Sequence, residues 1–257
     1  PIMSKSPNKH NKIFMRVEPL PDDILDLIRT GKIKEDMDQK EMAKILREKG
    51  WSADEARSVY AVDISGNMLL DETKGVQYLQ ESMDSIRSGF DDVIRNGPIA
   101  HEQVRGVKFV LHHFVPHEDP AHRGLAQLMP ATRRAMLGSM LIADPVLLEP
   151  ILGIEVKCPQ DLIGQVSSVL SSKRGKLLNV EQKGIIAIMQ GEVPASETFD
   201  LSEKMRGATA GKALWNTYFK AWQPVPNSIF RTLVGDVRKR KGLNPDPPSP
   251  DEFIDKE

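Results

Sequence analysis

The run Leu111-His112-His113-Phe114-Val115-Pro116-His117-Glu118-Asp119-Pro120-Ala121-His122-Arg123-Gly124 holds four of the chain's six histidines beside two carboxylates. Imidazoles and carboxylates in one segment bear on metal binding, proton transfer and anion recognition. Within it, His117-Glu118-Asp119-Pro120-Ala121-His122 reads HExxxH, one residue longer than the spacing that sets two imidazoles on one helical face, and Pro120 breaks such a helix. A metal-dependent hydrolase would therefore have to use His112, His117, His122 and a carboxylate in loop geometry. That alternative rests on clustering alone. His112 and His113, as strand residues, read as structural. The remaining polar loop has two readings that residue types leave open: a solvated connection, or an exposed tip presenting an imidazole and Arg123, with Lys9 and His10 nearby, to an anionic partner such as phosphate.

A search for phosphate loops is nearly empty. No two of the 18 glycines stand two apart, so no dinucleotide fingerprint exists. Gly207-Ala208-Thr209-Ala210-Gly211-Lys212-Ala213 is one residue short of a P-loop, places Ala213 where a magnesium-binding hydroxyl belongs, and precedes a strand rather than a helix. It reads as a glycine turn with positive φ.

The elements that must position the histidine segment follow from hydrophobic period. Lys12 to Glu18 alternates as a half-buried strand, stopped by Pro19 and Pro21, with Asp22 or Asp23 as cap of a helix ending near Gly31. Further helices are expected from Asp38 to Lys49, after the Ser52/Glu55 capping pair, and from Thr73 to Asn96. Val104 to Val115 alternates, with Val107, Phe109, Leu111, His113 and Val115 on one face, and runs directly into the histidine segment. Pro130 is expected to start a helix through Ala143. Asp144-Pro145 and Glu149-Pro150 mark a boundary near residue 148. The next 70 or so residues give strand, helix, strand, strand, helix, strand, the order of a ferredoxin-like split βαβ unit. A closing helix from Ser228 to Lys241 precedes a loosely held tail. The fold class is α+β.

The charge balance, 35 Lys+Arg against 36 Asp+Glu, excludes a uniformly basic nucleic-acid binder and a charge-driven disordered chain. No apolar run approaches a bilayer span, and Pro1 to Asn11 is too polar for a signal peptide. The single cysteine, Cys158, supplies neither an intramolecular disulfide nor a multi-thiolate site, pointing to a reducing, cytoplasmic setting. An opening proline instead of methionine fits a fragment or a processed product.

At the tip residues a resemblance emerges. His117-Glu118-Asp119-Pro120-Ala121-His122-Arg123-Gly124, followed by Gln127, Pro130, Arg133, Arg134 and Ala135, resembles the diphthamide loop of the elongation factor 2 family of translational GTPases, in its archaeal branch. Ser4-Lys5-Ser6-Pro7-Asn8-Lys9-His10-Asn11 is similar to the start of that family's domain IV. Lys173-Arg174-Gly175-Lys176, Pro194-Ala195-Ser196-Glu197-Thr198-Phe199 and Met205-Arg206-Gly207-Ala208-Thr209-Ala210-Gly211 resemble its domain V. Family members often carry other residues at Pro120, Ala121 and Leu125.

The resemblance implies a C-terminal fragment. Residues 1–148 would form domain IV, with a fold like domain 2 of ribosomal protein S5. Residues 149–223 would form a ferredoxin-like domain V, and residues 224–257 a helix and tail returning to domain IV. GTP and magnesium would belong to domains preceding Pro1, so that the chain itself holds no cofactor or metal, is no enzyme, and neither binds nor hydrolyses GTP. His122 would be the histidine modified to diphthamide, and Asn8, Lys9, His10, His117, Asp119 and Arg123 the surrounding tip. The implied partners are the decoding region of the small ribosomal subunit with its rRNA and tRNA–mRNA duplex, the diphthamide biosynthesis enzymes and diphtheria-type ADP-ribosylating toxins. No membrane is implied.

Overall fold

A computed structural model describes residues 1–256, and its contacts divide the chain into two units, Pro1–Pro145 with Arg231–Glu257, and Val146–Phe230. Among the described residues no helix is long and apolar enough to cross a membrane.

The first unit runs β1 (Ile2–Lys5), β2 (Lys12–Pro19), α1 (Asp22–Arg29), α2 (Gln39–Glu48), α3 (Ala53–Arg57), β3 (Val59–Asp63), β4 (Asn67–Asp71), α4 (Leu79–Arg95), β5 (Val107–Val115) and α5 (Leu125–Ile142). Its sheet has the order β1-β2-β5-β4-β3, antiparallel except for the parallel pair β4 and β5. Residues of α4 and α5, including Phe90, Val93, Leu128 and Met136, pack with Ile13, Met15, Leu69, Phe109 and Leu111 on one sheet face. On the other face Ile24, Ile28, Met42 and Leu46 of α1 and α2 pack with Met68, Leu70 and Val110. The sheet is thus a middle layer. Its strand β4, buried on both sides with Met68, Leu69 and Leu70 all at 0% exposure, shows no alternation, which is why the β3–β4 hairpin escapes the sequence reading.

Several expectations are corrected. The helix expected from Thr73 begins at Leu79, because Gly75 (φ 67°) and Tyr78 (φ 59°) take left-handed conformations that a helix cannot include. The helix expected from Pro130 begins at Leu125 and carries Pro130 inside it. One missing amide bond near the helix start is tolerated where the apolar face of α5 packs against α4. The tail is docked, not loose: the Asp255 amide donates to the Met3 carbonyl at 3.0 Å, the Lys5 amide donates to Asp255 Oδ2 at 2.7 Å, and Phe253 packs against the α4/α5 core.

The second unit runs β6 (Leu148–Pro159), α6 (Ile163–Ser172), β7 (Lys176–Lys183), β8 (Ile186–Pro194), α7 (Leu201–Thr209) and β9 (Leu214–Pro224). Its antiparallel sheet has the order β7-β8-β6-β9, and Val166, Leu170, Leu201 and Met205 of the helices cover one face. Arg174 is fixed by two bonds to the buried Glu149 carboxylate (2.9 and 2.8 Å) and one to Glu197 (2.9 Å). Those bonds, Glu149's first, hold its guanidinium pKa above the usual value. Cys158 is buried against Met189, and burial pushes its thiol pKa up. The glycine turn after α7 has Ala210 at φ 48° and Gly211 at φ 74°, while Gly207 stays inside the helix.

A last helix, α8 (Asn227–Arg240), ends in the first unit's C-terminal segment. There Arg238 donates to the Ile99 carbonyl (2.7 Å), and Lys241 Nζ donates to the carbonyls of Ala100 (3.0 Å) and His101 (2.6 Å). Burial, then the charges of Arg238, Arg133 and Lys241, lower the His101 pKa. The unfolded chain is then the better proton binder, so stability is intact above the ordinary histidine value of about 6.5 and declines as pH falls below it. His101→Asn, which suits the φ of 49° at this position, should show a smaller loss of melting temperature between about pH 8 and about pH 5.5 than the native chain.

Candidate functional site: a histidine tip at one end of a sheet

The β2–β5 pairing of Lys12 with Val115 brings two loops to the same end of the sheet, residues 6–11 before β2 and residues 116–124 after β5. The first is a tight turn. The Lys9 amide donates to the Ser6 carbonyl at 2.7 Å, Lys9 adopts φ 62°, and Asn8 Oδ1 accepts from Ser6 Oγ (2.6 Å) and the His10 amide (3.1 Å). The second contains one 3-10 turn, Pro120–His122, capped by Asp119, whose Oδ1 accepts from the Ala121 amide at 2.9 Å. Pro120 at the first position of that turn loses no bond, since its amide would be unpaired there anyway.

Asn11 joins the two loops. It is fully buried, donates from Nδ2 to the His122 carbonyl (2.8 Å) and to Ser6 Oγ (3.0 Å), and accepts from the His117 amide (2.9 Å). Asn8 Nδ2 donates to the same His122 carbonyl at 2.9 Å, and Gln127 accepts from the Asn8 amide at 2.9 Å. The result brings three imidazoles together, with ring centroids 4.9 Å apart for His10 and His117, 5.1 Å for His10 and His122, and 4.8 Å for His117 and His122. The His117 ring accepts the Asp119 amide at Nδ1 (3.1 Å), which leaves its Nε2 as the protonated nitrogen. His122 keeps 46% of its side chain exposed, and Asp119 stands 4.0 Å from its Nε2. Lys9 and His10 are exposed, and Asn8 and His117 half-buried.

Arg123 departs from the expectation of a presented cation. Its side chain is 5% exposed, donates to Glu81 at 2.6 Å and to the carbonyls of His117 (3.2 Å) and Glu118, and lies 4.1 Å from the Tyr78 ring centre. The guanidinium satisfies carbonyls that a reversing loop turns inward, so it anchors the loop from beneath. His112 and His113 lie in strand β5, as expected of strand residues, and both are exposed. The register shift between Phe14 and Met15, which pair with His113 and Leu111, leaves His112 as an extra residue in β5. That bulge resets the alternation, so that Leu111 and Phe114 both reach the core while both imidazoles point outward.

The structure therefore groups His117 and His122 with His10, not with His112 as the hydrolase alternative requires. Among the described residues no group of three or more His, Cys, Asp or Glu is placed to hold a metal ion. Nothing supports the hydrolase. Asn11, Tyr78 and Glu81 complete the site without having stood out as site residues in the sequence. Asparagine before a strand carries no signal of its own until the partner loop is known.

Residues 31–144 match the family model for elongation factor G, domain IV, and residues 146–233 the model for the elongation factor G C-terminus. Elongation factor 2 of Cenarchaeum symbiosum is 58% identical over 256 residues, that of Staphylothermus marinus 51% over 251 residues, and that of Metallosphaera sedula 49% over 251 residues. These alignments take in 100%, 97% and 97% of this chain but only 35%, 34% and 34% of the relatives' own lengths. With both halves matched in order, the chain belongs to the elongation factor G and elongation factor 2 family, whose domain IV and C-terminal domain it carries.

Proposed function

We propose that the chain is the ribosome-entering arm of an archaeal-type elongation factor 2, and that its histidine tip holds the tRNA–mRNA duplex in the small-subunit decoding region during GTP-dependent translocation. GTP and magnesium belong to family domains outside this chain, and the arm breaks no bond itself. The observation that carries the reading is the tip: exposed His10, His122 and Lys9 and half-buried His117 are gathered on two loops that buried Asn11 and Arg123 fix from below. A tip that follows a moving duplex should grip phosphates and sugars through a few donors, because reading bases would make movement depend on the codon.

On this reading His122 carries diphthamide, installed by the family's biosynthesis enzymes and recognised by diphtheria-type ADP-ribosylating toxins. Its exposed ring and its backbone, tied at the carbonyl by Asn8 and Asn11, fit a modification that lengthens reach without moving the fold. The two units correspond to an S5 domain 2-like fold and a ferredoxin-like fold, and the factor works in the cytoplasm. Peptide mass mapping of the chain from its native host tests the modification: a cationic increment on His122, absent from His10 and His117, is expected, and an unmodified His122 would overturn it.

A further inference from the structure

Directly below the tip, the outer face of β2 and β5 leaves a ring platform uncovered. Lys12 and Phe14 pair with Val115 and His113, and the Phe14 and His113 rings lie 5.5 Å apart, tilted by 47°. Phe14 is half-buried and packs into neither apolar core of the unit, unlike its neighbours Ile13 and Met15. His113 is exposed, Val115 is 41% exposed, and the β5 bulge turns His112 outward beside them. Further along the same face the charge is closed off, with Arg16 neutralised by Glu18 and Glu72 at 2.8 Å each. The open part is thus the exposed His113 ring against half-buried Phe14, the exposed His112 imidazole and the cation of Lys12, continuous with Lys9 and the tip through β2.

We propose that this platform binds an unpaired nucleotide of RNA, its base stacked on the exposed His113 ring with its edge against Phe14, and its phosphate toward Lys12. Exposed rings on an open sheet, flanked by a cation, are the chemistry by which single strands are held without reading sequence, since every base has a π face. A protein partner fits less well: the patch is small, and two solvated imidazoles at its centre raise the cost of burying it dry. A bulge that turns an extra ring outward beside such a patch is a known way of re-aiming side chains at a binding site. The proposal goes beyond the tip reading and rests on it only in that the tip brings RNA within reach.

Titration of the chain with a short labelled oligouridine, followed by fluorescence anisotropy, tests the platform independently of any ribosome. The native chain should bind it, and His113→Ala and Phe14→Leu should each weaken binding about tenfold, in keeping with the loss of one base-stacking ring. His113 is exposed, so its variant reads binding even if Phe14→Leu affects folding. Phe199→Ala, which removes a 93% exposed ring from the second unit, should leave oligouridine binding within about twofold, and an RNA duplex should compete poorly. Unchanged affinity in His113→Ala, or an equal loss in Phe199→Ala, would overturn the platform while leaving the tip reading intact.

Discussion

Arg123→Ala should destabilise the first unit by about 2–3 kcal/mol, read from urea unfolding, and should free the tip loop. The side chain closes that loop with bonds to the His117 and Glu118 carbonyls, reaches Glu81 at 2.6 Å and stacks on Tyr78 at 4.1 Å. Its removal costs several charge-assisted bonds, a cation–π contact and the packing of a side chain only 5% exposed. Glu81 is 66% exposed, so the carboxylate left behind returns to water, and the cost stays below that of a fully buried broken pair. Arg123→Lys should recover little, because one ammonium cannot span two carbonyls, a carboxylate and a ring. An exposed Arg123 would instead give a change within about 0.5 kcal/mol.

Asn11→Asp should cost about 2–4 kcal/mol although it changes no volume. One carboxylate oxygen can still accept from the His117 amide. The other replaces a donor and faces the His122 carbonyl at 2.8 Å and the Ser6 hydroxyl at 3.0 Å, and that hydroxyl already donates to Asn8. An acceptor is thus set against acceptors in a fully buried site. Asn8 still donates to the His122 carbonyl, so the variant should fold with both loops loosened. Hydrogen exchange should show the His117 and Asn11 amides losing protection before the β4 and β5 core. Equal stability of Asn11→Asp and the native chain would mean that the loops hold themselves.

The histidine segment, its place after a long strand and the second unit's element order are legible in the sequence because each rests on local period or spacing. What is not legible depends on partners distant in the chain. Arg123 reads as a phosphate ligand until Glu81 and Tyr78, some 40 residues earlier, are folded beneath it. Alternation through β5 assigns Leu111 and His113 to one face, and a single bulged residue reverses that assignment beyond His112. The tail reads as loose from its prolines and acids, yet Phe253 and Asp255 dock on β1 and α5. The left-handed Tyr78 that shortens α4 sets the ring over which Arg123 lies, so the misjudged helix start and the misjudged cation share one cause.

On the proposed function, His122 works on RNA movement and not on folding. The most direct measurement is single-round translocation by a factor containing this arm and all the family's domains, with His122→Ala compared to native. The variant should melt within about 0.5 kcal/mol of native, keep ribosome-stimulated GTP hydrolysis, and move the tRNA–mRNA duplex more slowly or with more frame slippage. Unaltered translocation and frame maintenance in His122→Ala, or a large loss of its melting temperature, would contradict the account.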